Sequence, residues 1–392
     1  MSQDVVLTAP VRTPIGRFGG GLASVSAVEL GIAAAKGSLL SVGFDPVAVD
    51  QSIFGHARQA GCGPNSARQV SVRAGIPVEK PAYGINQACL SGMQAILAAA
   101  RAIRSGEADV VLAGGMESMS RVPFALDTRW GSRMGNIEVV DLMSRDGFLD
   151  PLSGKIMGET AETLASQYGI SREEQDAYAA ESQNRCEAAR KTGRFRDEIV
   201  PVEANVGKKA ATIDRDEHPR DGVTAASLAS LAPVFAAGGT VTAGNSSGIT
   251  DGAAAMLVMS ADAAKRLKMP PVARIVGWRV DGVSPEIMGI GPVPAVRGLL
   301  AATGLAQDAI DLVELNEAFA AQVLAVDREL KFDRERLNVN GGAIALGHPI
   351  GCSGARIVVT LLHELVRRKC RYGLATLCVS GGMGGALLLE RL

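Results

Sequence analysis

The sequence predicts an α/β fold with a buried, mostly parallel sheet, and three observations support this prediction. Short segments such as 5–7 and 110–113 are purely apolar, as expected of strands that helices cover on both faces. Alanine-rich helical segments alternate with these strands. Glycine supplies 46 of the 392 residues, which indicates many tight turns and close backbone approaches.

The two halves of the chain contain the same pattern. A Ser-Gly pair opens a helix at Ser91 and again at Ser353, and an apolar strand with Gly-Gly-Met follows at 114–116 and at 381–383. We infer two copies of one α/β unit that pack about a pseudo-twofold axis. A functional site would then lie where the loops of the two halves meet.

In the first half, strands and helices alternate regularly. The predicted strands are 5–7, 49–54, 82–85 and 110–113, and the predicted helices are 27–40, 65–74 and 95–103. The last of these helices is apolar nearly all round, so we expect it to be buried.

The middle of the chain differs in composition from the two halves. Residues 117–244 hold most of the charged runs and loops, and one clear helix begins at the capping pair Ser171 and Glu174. We therefore predict an N-terminal half of 1–118 plus 250–270, an inserted loop domain of 119–249 and a C-terminal half of 271–392.

The chain returns from the insertion through 253–259, which we expect to be an edge strand of the first half. For the second half the sequence predicts strands at 272–278, 312–315 and 374–378 and helices at 296–303 and 354–368.

Composition excludes several classes of protein. A net charge of -1 argues against a protein dominated by nucleic-acid binding. No apolar run approaches the ~20 residues of a membrane span, and the N-terminus has no signal or transit peptide pattern. The six cysteines lie far apart without metal-ligand spacing, so we expect no metal site and a cytoplasmic protein with reduced thiols.

Cys89 is the first candidate for chemistry. It lies between the strand 82–85 and a buried helix, and we expect the N–H groups and partial positive charge of that helix N-terminus to lower the pKa of the thiol. The alternative is a small buried apolar residue.

Three further candidates, Asn316, His348 and Cys378, follow predicted strands of the second half. If the halves pack as a pair, His348 can take the proton of Cys89. Backbone N–H groups after Cys378 could form an oxyanion hole. The alternatives are a core histidine, a helix cap at Asn316 and a buried apolar residue at Cys378.

These residues and their surroundings resemble the thiolase family, the acetyl-CoA acetyltransferases and 3-ketoacyl-CoA thiolases. The similarity covers essentially the whole chain, and four motifs carry it, at 86–94, 316–320, 341–354 and 378–384. The resemblance implies a five-layered α/β/α/β/α fold with an inserted loop domain that binds coenzyme A and mediates oligomerisation.

The resemblance also implies catalytic roles. Cys89 would be the nucleophile that carries the acyl group, and His348 would deprotonate it. Asn316 would hold a water molecule near a thioester oxygen. Cys378 would move a proton at the α-carbon of the second acyl-CoA, and the N–H groups of Cys89 and Ser380 would form an oxyanion hole.

The implied reaction is acyl-CoA plus acetyl-CoA in equilibrium with 3-ketoacyl-CoA plus coenzyme A. Coenzyme A thioesters would be substrates, with no permanently bound cofactor, in a homodimer or homotetramer that binds neither nucleic acid nor membrane. The residues implied to bind coenzyme A or to line its channel are Arg220, Ser227, Ser247, Phe148, Met157, Met288 and Phe319.

The chain departs from the family pattern at three positions. Ser380 replaces the first glycine of the usual Cys-x-Gly-Gly-Gly, and Leu90 follows the nucleophile where a small residue is usual. Ile156 stands where short-chain members often have a histidine. We expect Ile156 to favour a broad enzyme that accepts short and medium chains, although Phe148 and Leu90 would shorten the pocket.

The candidate residues argue against two other functions. A β-ketoacyl synthase would use Cys-His-His, and Cys378 in place of the second histidine speaks against it. A non-catalytic CoA- or lipid-binding protein on a thiolase scaffold would need none of Cys89, Asn316, His348 and Cys378.

Overall fold

The computed structural model describes residues 4–392, in which helices cover both faces of one large mixed sheet. The strands are β1 Val5–Arg12, β2 Gly16–Arg17, β3 Gln51–Gly55, β4 Ala82–Ile85, β5 Val110–Ser118, β6 Phe124–Ala125, β7 Val140–Asp141, β8 Val202–Val206, β9 Lys209–Ile213, β10 Thr250–Ser260, β11 Ala273–Gly282, β12 Leu312–Leu315, β13 Tyr372–Val379 and β14 Met383–Arg391. The helices are α1 Ala27–Ser41, α2 Ser66–Arg73, α3 Ser91–Arg104, α4 Met157–Tyr168, α5 Arg172–Lys191, α6 Ala225–Ala229, α7 Ala261–Arg266, α8 Pro292–Thr303, α9 Ala320–Leu330, α10 Ala343–Leu346 and α11 Ile350–Arg368.

The large sheet consists of two groups of strands with mirrored orders. Its hydrogen-bonded order is β12-β13-β14-β11-β1-β10-β5-β3-β4. The groups meet where Val6 and Leu7 of β1 pair antiparallel with Arg274 and Ala273 of β11. Counted outward from this junction, β1, β10, β5 and β3 correspond to β11, β14, β13 and β12. This correspondence is what the pseudo-twofold repeat requires.

The expectation of a mostly parallel sheet is wrong. Among the described strands of this sheet, only the pairs β3–β4, β3–β5 and β12–β13 are parallel. The supposed edge strand 253–259 is part of β10, which lies between β1 and β5 and is buried along its whole length. A purely apolar strand indicates that both of its faces are buried, but it does not indicate the direction of its neighbours. Helices on the two faces of a sheet provide this burial for parallel and antiparallel strands alike.

The helices form three of five layers. α1 and α2 cover the outer face of the first strand group, and α3 and α11 lie between the two groups. α8 covers the outer face of the second group, with α9 beside it. The α/β/α/β/α arrangement expected from the sequence is therefore confirmed.

The repeated Ser-Gly pair marks the crossing of the two central helices. A Cβ atom on Gly92 would lie 2.8 Å from the backbone nitrogen of Ala355, and one on Gly354 would lie 2.5 Å from that of Met93. α3 and α11 therefore touch through their backbones, which requires glycine at both positions.

The repeated Gly-Gly-Met plays different parts in the two halves. The copy at 114–116 lies inside β5, which continues into the segment 119–249. The other copy forms the turn between β13 and β14, where Gly381 and Gly382 have φ of 86° and 83°. The segment 119–249 therefore connects β5 to β10 at the position where the second half has only a tight turn between β13 and β14. The boundaries of the inserted domain remain a prediction.

Buried polar contacts attach this segment to the core. Arg12 Nε donates to Glu198 Oε1 at 2.6 Å and its Nη1 donates to Asp216 Oδ1 at 2.7 Å, with all three side chains buried. On the other side, Glu317 accepts hydrogen bonds from Tyr178 and Ser182 of α5. Within residues 4–392, no helix combines the length and apolar character that crossing a membrane requires.

Candidate active site

Cys89 lies in a single 3₁₀ turn, Ala88–Leu90, that joins β4 to α3. The preceding residue, Ala88, has a φ of 45°, a left-handed conformation that is unfavourable for alanine. The Asn86 side chain supports this turn by accepting a hydrogen bond from the Ala88 N–H at 3.0 Å. The sharp turn places the Cys89 side chain at the base of a cavity.

The environment of the thiol contains opposing influences. Burial raises the pKa of Cys89, while hydrogen bonds from the backbone N–H groups of Ser380 and Cys89 and the positive charge of Arg58 act against it. The net result is a raised pKa. The expectation that the helix N-terminus would lower this pKa is therefore wrong, because the cost of removing the thiolate from water is larger.

His348 presents one ring nitrogen to the same cavity. Its Nδ1 lies 2.5 Å from Ser353 Oγ, and that hydroxyl donates its own proton to the carbonyl of Pro349 at 3.0 Å. Nδ1 must then carry the proton, which leaves Nε2 as an acceptor. Nε2 is buried and has no hydrogen-bond partner among the described residues.

The imidazole of His348 is held neutral. Burial lowers the pKa of His348 to about 3, and the positive charges of Arg356 and Arg58 act in the same direction. A neutral ring with a free Nε2 is the form that can accept a proton.

Cys378 is the penultimate residue of β13 rather than part of a loop. Burial and the nearby Cys89 raise the pKa of its thiol strongly. The turn that follows brings the Ser380 N–H towards Cys89, and the left-handed backbone falls on Gly381 and Gly382. Serine at position 380 therefore keeps the N–H of the usual glycine without backbone strain.

Asn316 directly follows β12, and its N–H donates to the carbonyl of Thr376 in β13 at 3.0 Å. The side chain is fully buried, yet neither amide atom has a hydrogen-bond partner among the described residues. Buried amides normally have partners, so an ordered water molecule or a ligand is expected here. Asn316 does not itself line the cavity.

The cavity measures about 550 Å³ and has a mainly apolar wall. It contains the thiols of Cys89 and Cys378 together with His348. The predicted channel and coenzyme A residues that line it are Phe148, Met157, Arg220, Ser247, Met288 and Phe319. Ser227 lies elsewhere: it is exposed and pairs with Thr224 at the start of α6.

With this geometry established, comparisons with known proteins identify the family. The sequence model of the thiolase N-terminal domain matches residues 5–262, and that of the thiolase C-terminal domain matches residues 269–391. The chain belongs to the thiolase family.

Full-length relatives agree with this assignment. The chain is 52% identical over 391 residues to an acetyl-CoA acetyltransferase of Pseudomonas aeruginosa, covering 99% of this chain and 100% of that protein. The crystal structure of the Bacillus anthracis acetyl-CoA acetyltransferase has 48% identity and a TM-score of 0.97, covering 100% of this chain and 99% of that one. Human mitochondrial 3-ketoacyl-CoA thiolase in complex with CoA has 45% identity and a TM-score of 0.96, covering 100% and 98%.

Several residues of this thiolase cavity were missed by the sequence analysis. They are Arg58, His218, Phe235 and Ile350. Arg58 follows β3, so the rule that selected Asn316 and His348, a polar residue just beyond a strand, could have found it. The sequence pattern places Ser353 only in the repeat. No sequence feature predicts its hydrogen bond to His348.

Proposed function

We propose that this thiolase transfers acyl groups between CoA thioesters, joining acyl-CoA and acetyl-CoA to 3-ketoacyl-CoA and coenzyme A in a reversible reaction. The observation that carries this proposal is the meeting of the Cys89 thiol, the free His348 Nε2 and the Cys378 thiol in one cavity. A protein that only bound CoA or lipid would not need two thiols beside an unpartnered base.

The first half-reaction forms an acyl-enzyme. His348 Nε2 accepts the proton of Cys89 as the sulfur attacks the carbonyl carbon, so that deprotonation and attack are coupled. The N–H groups that face Cys89 are placed to receive the negative charge on oxygen. The proton leaves with the sulfur of the departing group, and the acyl group stays on Cys89.

The second half-reaction makes or breaks the carbon–carbon bond. In synthesis, Cys378 first passes its own proton to His348, which became neutral again in the first half-reaction, and as a thiolate it takes a proton from the α-carbon of the second thioester. That carbon attacks the acyl group on Cys89, the carbon–sulfur bond to Cys89 breaks, and the Cys89 sulfur takes the proton back from His348. In thiolysis, Cys378 returns a proton to the departing acetyl-CoA carbon. A water molecule held by Asn316 would stabilise the enolate oxygen of this thioester.

This division of labour is tested with Cys378→Ala. We expect the variant to become acetylated on Cys89 by acetyl-CoA, detected by intact-protein mass spectrometry, while condensation and thiolysis fall by at least ~10²-fold. Cys89→Ala is the control and should not be acetylated. Near-normal turnover of Cys378→Ala would contradict the role of Cys378.

The handling of coenzyme A is part of the same proposal. Arg220 and Ser247 line the cavity, which supports the proposal that they hold the nucleotide and pantetheine parts of the substrate. Ser227 could take part only if the substrate extends past the cavity to α6. CoA thioesters would act as substrates without a permanently bound cofactor.

We further propose a homodimer or homotetramer in the cytoplasm. Support for association comes from large apolar side chains that the segment 119–149 exposes, namely Phe124, Leu126, Trp130 and Met134. Support for the location comes from the chemistry, because Cys89 and Cys378 must stay reduced to react. Sedimentation equilibrium would measure the oligomeric state.

A further inference from the structure

Arg58 is a buried cation without a protein partner. The residue is 7% exposed and lines the cavity that contains Cys89. Its Nε is buried without a hydrogen-bond partner, and no carboxylate of the described residues lies within ion-pair distance of its guanidinium. An unpaired buried charge is costly, so a chain that keeps one is expected to pair it with a ligand.

The position of the guanidinium is fixed by the surrounding backbone. The Arg58 N–H donates to Glu117 Oε1 at 3.1 Å, which anchors the main chain. A Cβ on Gly147 would lie 2.4 Å from Nε and Nη2, so the segment 144–148 packs directly against the guanidinium. Arg58 is therefore held in place before any ligand arrives.

The buried carboxylate that anchors the Arg58 main chain, Glu117, is already engaged. Glu117 also accepts the Gly351 N–H at 2.9 Å, and its Oε1 lies 3.4 Å from Nε2 of His56. Burial opposes the charge of His56, but hydrogen bonds with Cys62 and Glu117 outweigh it and raise the pKa of His56 to about 9. Glu117 thus has its own cation and does not neutralise Arg58.

Arg58 acts at the reacting end of the cavity. Its charge influences both Cys89 and His348, whereas Arg220 lies beside His218 and Ser247 in the proposed coenzyme A region. The same cavity wall includes the apolar side chains of Phe148 and Ile350. Arg58 also lines a second, separate rear cavity of about 180 Å³, together with Arg73 and Arg121, which do not line the cavity of Cys89.

We propose that Arg58 is a specificity residue that receives the carboxylate end of a dicarboxylic acyl group. The preferred substrates are then 3-oxoacyl-CoA thioesters whose chain ends in a carboxylate. A guanidinium that is already desolvated and fixed pairs bidentately with such a group. This inference rests on the proposed thiolase reaction, whose steps stay the same: thiolysis of 3-oxoadipyl-CoA would leave a succinyl group on Cys89 and release acetyl-CoA.

The wild-type enzyme provides the first test. We expect kcat/KM for thiolysis of 3-oxoadipyl-CoA to exceed that for 3-oxohexanoyl-CoA, which has six carbons but no terminal charge, by about tenfold or more. A value equal to or below that for 3-oxohexanoyl-CoA would overturn the proposal while leaving the thiolase function intact. Loss of activity on both, and on acetoacetyl-CoA, would instead contradict the proposed function on which it rests.

Variants test whether Arg58 is the source of the preference for a terminal carboxylate. Arg58→Met should lower kcat/KM for 3-oxoadipyl-CoA by about ten- to hundredfold relative to 3-oxohexanoyl-CoA, and Arg58→Lys should restore part of it. Arg121→Met is the matched control: it removes a positive charge that lines only the rear cavity and should preserve the preference. An equal loss on both substrates in Arg58→Met would mean that Arg58 serves Cys89 rather than the acyl end, and would overturn the proposal.

Discussion

Cys89 and His348 line the same cavity as an uncharged pair. The pKa of Cys89 is raised by burial and that of His348 is lowered by burial to about 3, so neither group favours its charged form before substrate arrives. A thiolate–imidazolium pair, as a helix N-terminus would favour, is not the resting state. Proton transfer must therefore accompany attack on the thioester.

Alkylation measures this resting state. The iodoacetamide inactivation rate of wild-type enzyme should keep rising with pH beyond pH 8, because burial raises the pKa of Cys89 and the thiolate fraction increases until that pKa is passed. Peptide mass spectrometry must place the label on Cys89, and Cys378→Ser serves as a control against labelling of the second thiol. A plateau in rate below pH 8 would contradict the raised pKa.

The neutral state of His348 also predicts a pH dependence of stability. An imidazole in the unfolded chain binds a proton below its ordinary pKa of about 6.5, whereas folded His348 does so only near 3. Acidification between these values therefore favours the unfolded state. From pH 7 to pH 5 the wild type should lose about 2 kcal/mol more than His348→Gln in urea unfolding. Equal losses would mean that His348 does not remain neutral.

At the scale of elements, the crossing of α3 and α11 couples the two halves of the site. α3 begins just after Cys89 and α11 begins just after His348, so the helix contact sets the distance between nucleophile and base. Gly92 and Gly354 make that contact possible.

Gly354→Ala should separate these helices. A Cβ placed 2.5 Å from the Met93 nitrogen cannot be relieved by a rotamer change, so we expect a loss of about 3 kcal/mol in unfolding free energy. Thiolysis activity should fall with it, because the nucleophile and base move apart. Gly84→Ala is the control, since its nearest neighbour atom would lie 3.7 Å away. Similar stabilities for the two variants would contradict the tight crossing.

The sequence predicted these elements well where local patterns determine them. Apolar runs, the capping box at Ser171 and the glycine at 304 located β5, α5 and the end of α8. Strand direction and the interior place of β10 could not be predicted, since they depend on pairing between distant segments. The charge balance at Cys89 and the unpaired Arg58 likewise depend on burial, which arises only when both halves fold together.

At the scale of the whole molecule, the segment 119–249 is joined to the core by buried polar contacts as well as by the apolar packing of α4 and α5 against α9. It supplies part of the cavity wall, including Met157 and Arg220. On one side Arg12 of β1 joins Glu198 and Asp216, and on the other Glu317 joins α5. Loss of these polar attachments should therefore disturb the cavity wall that the segment supplies.

Arg12→Met tests the first attachment. The change would leave Glu198 and Asp216 buried without their shared cation, because Arg12, Glu198 and Asp216 are all excluded from solvent. Loss of one partner of a buried ion pair typically costs ~3–5 kcal/mol, and we expect a loss of this size in urea unfolding. Limited proteolysis should show faster cleavage within 119–249, since the attachment to β1 is lost.

Arg279→Met is the matched control for this variant. It removes an arginine from the pair with Asp281, whose side chains are 47% and 22% exposed, and exposed pairs contribute at most ~1 kcal/mol. If Arg12→Met were no more destabilising than Arg279→Met, and proteolysis were unchanged, the segment would have to be held by the contacts of Glu317 and the apolar packing of α4 and α5 against α9. Because Glu317 also accepts the Ile344 N–H at 3.0 Å, close to the loop of His348, that outcome would tie the segment to the catalytic base rather than to the sheet.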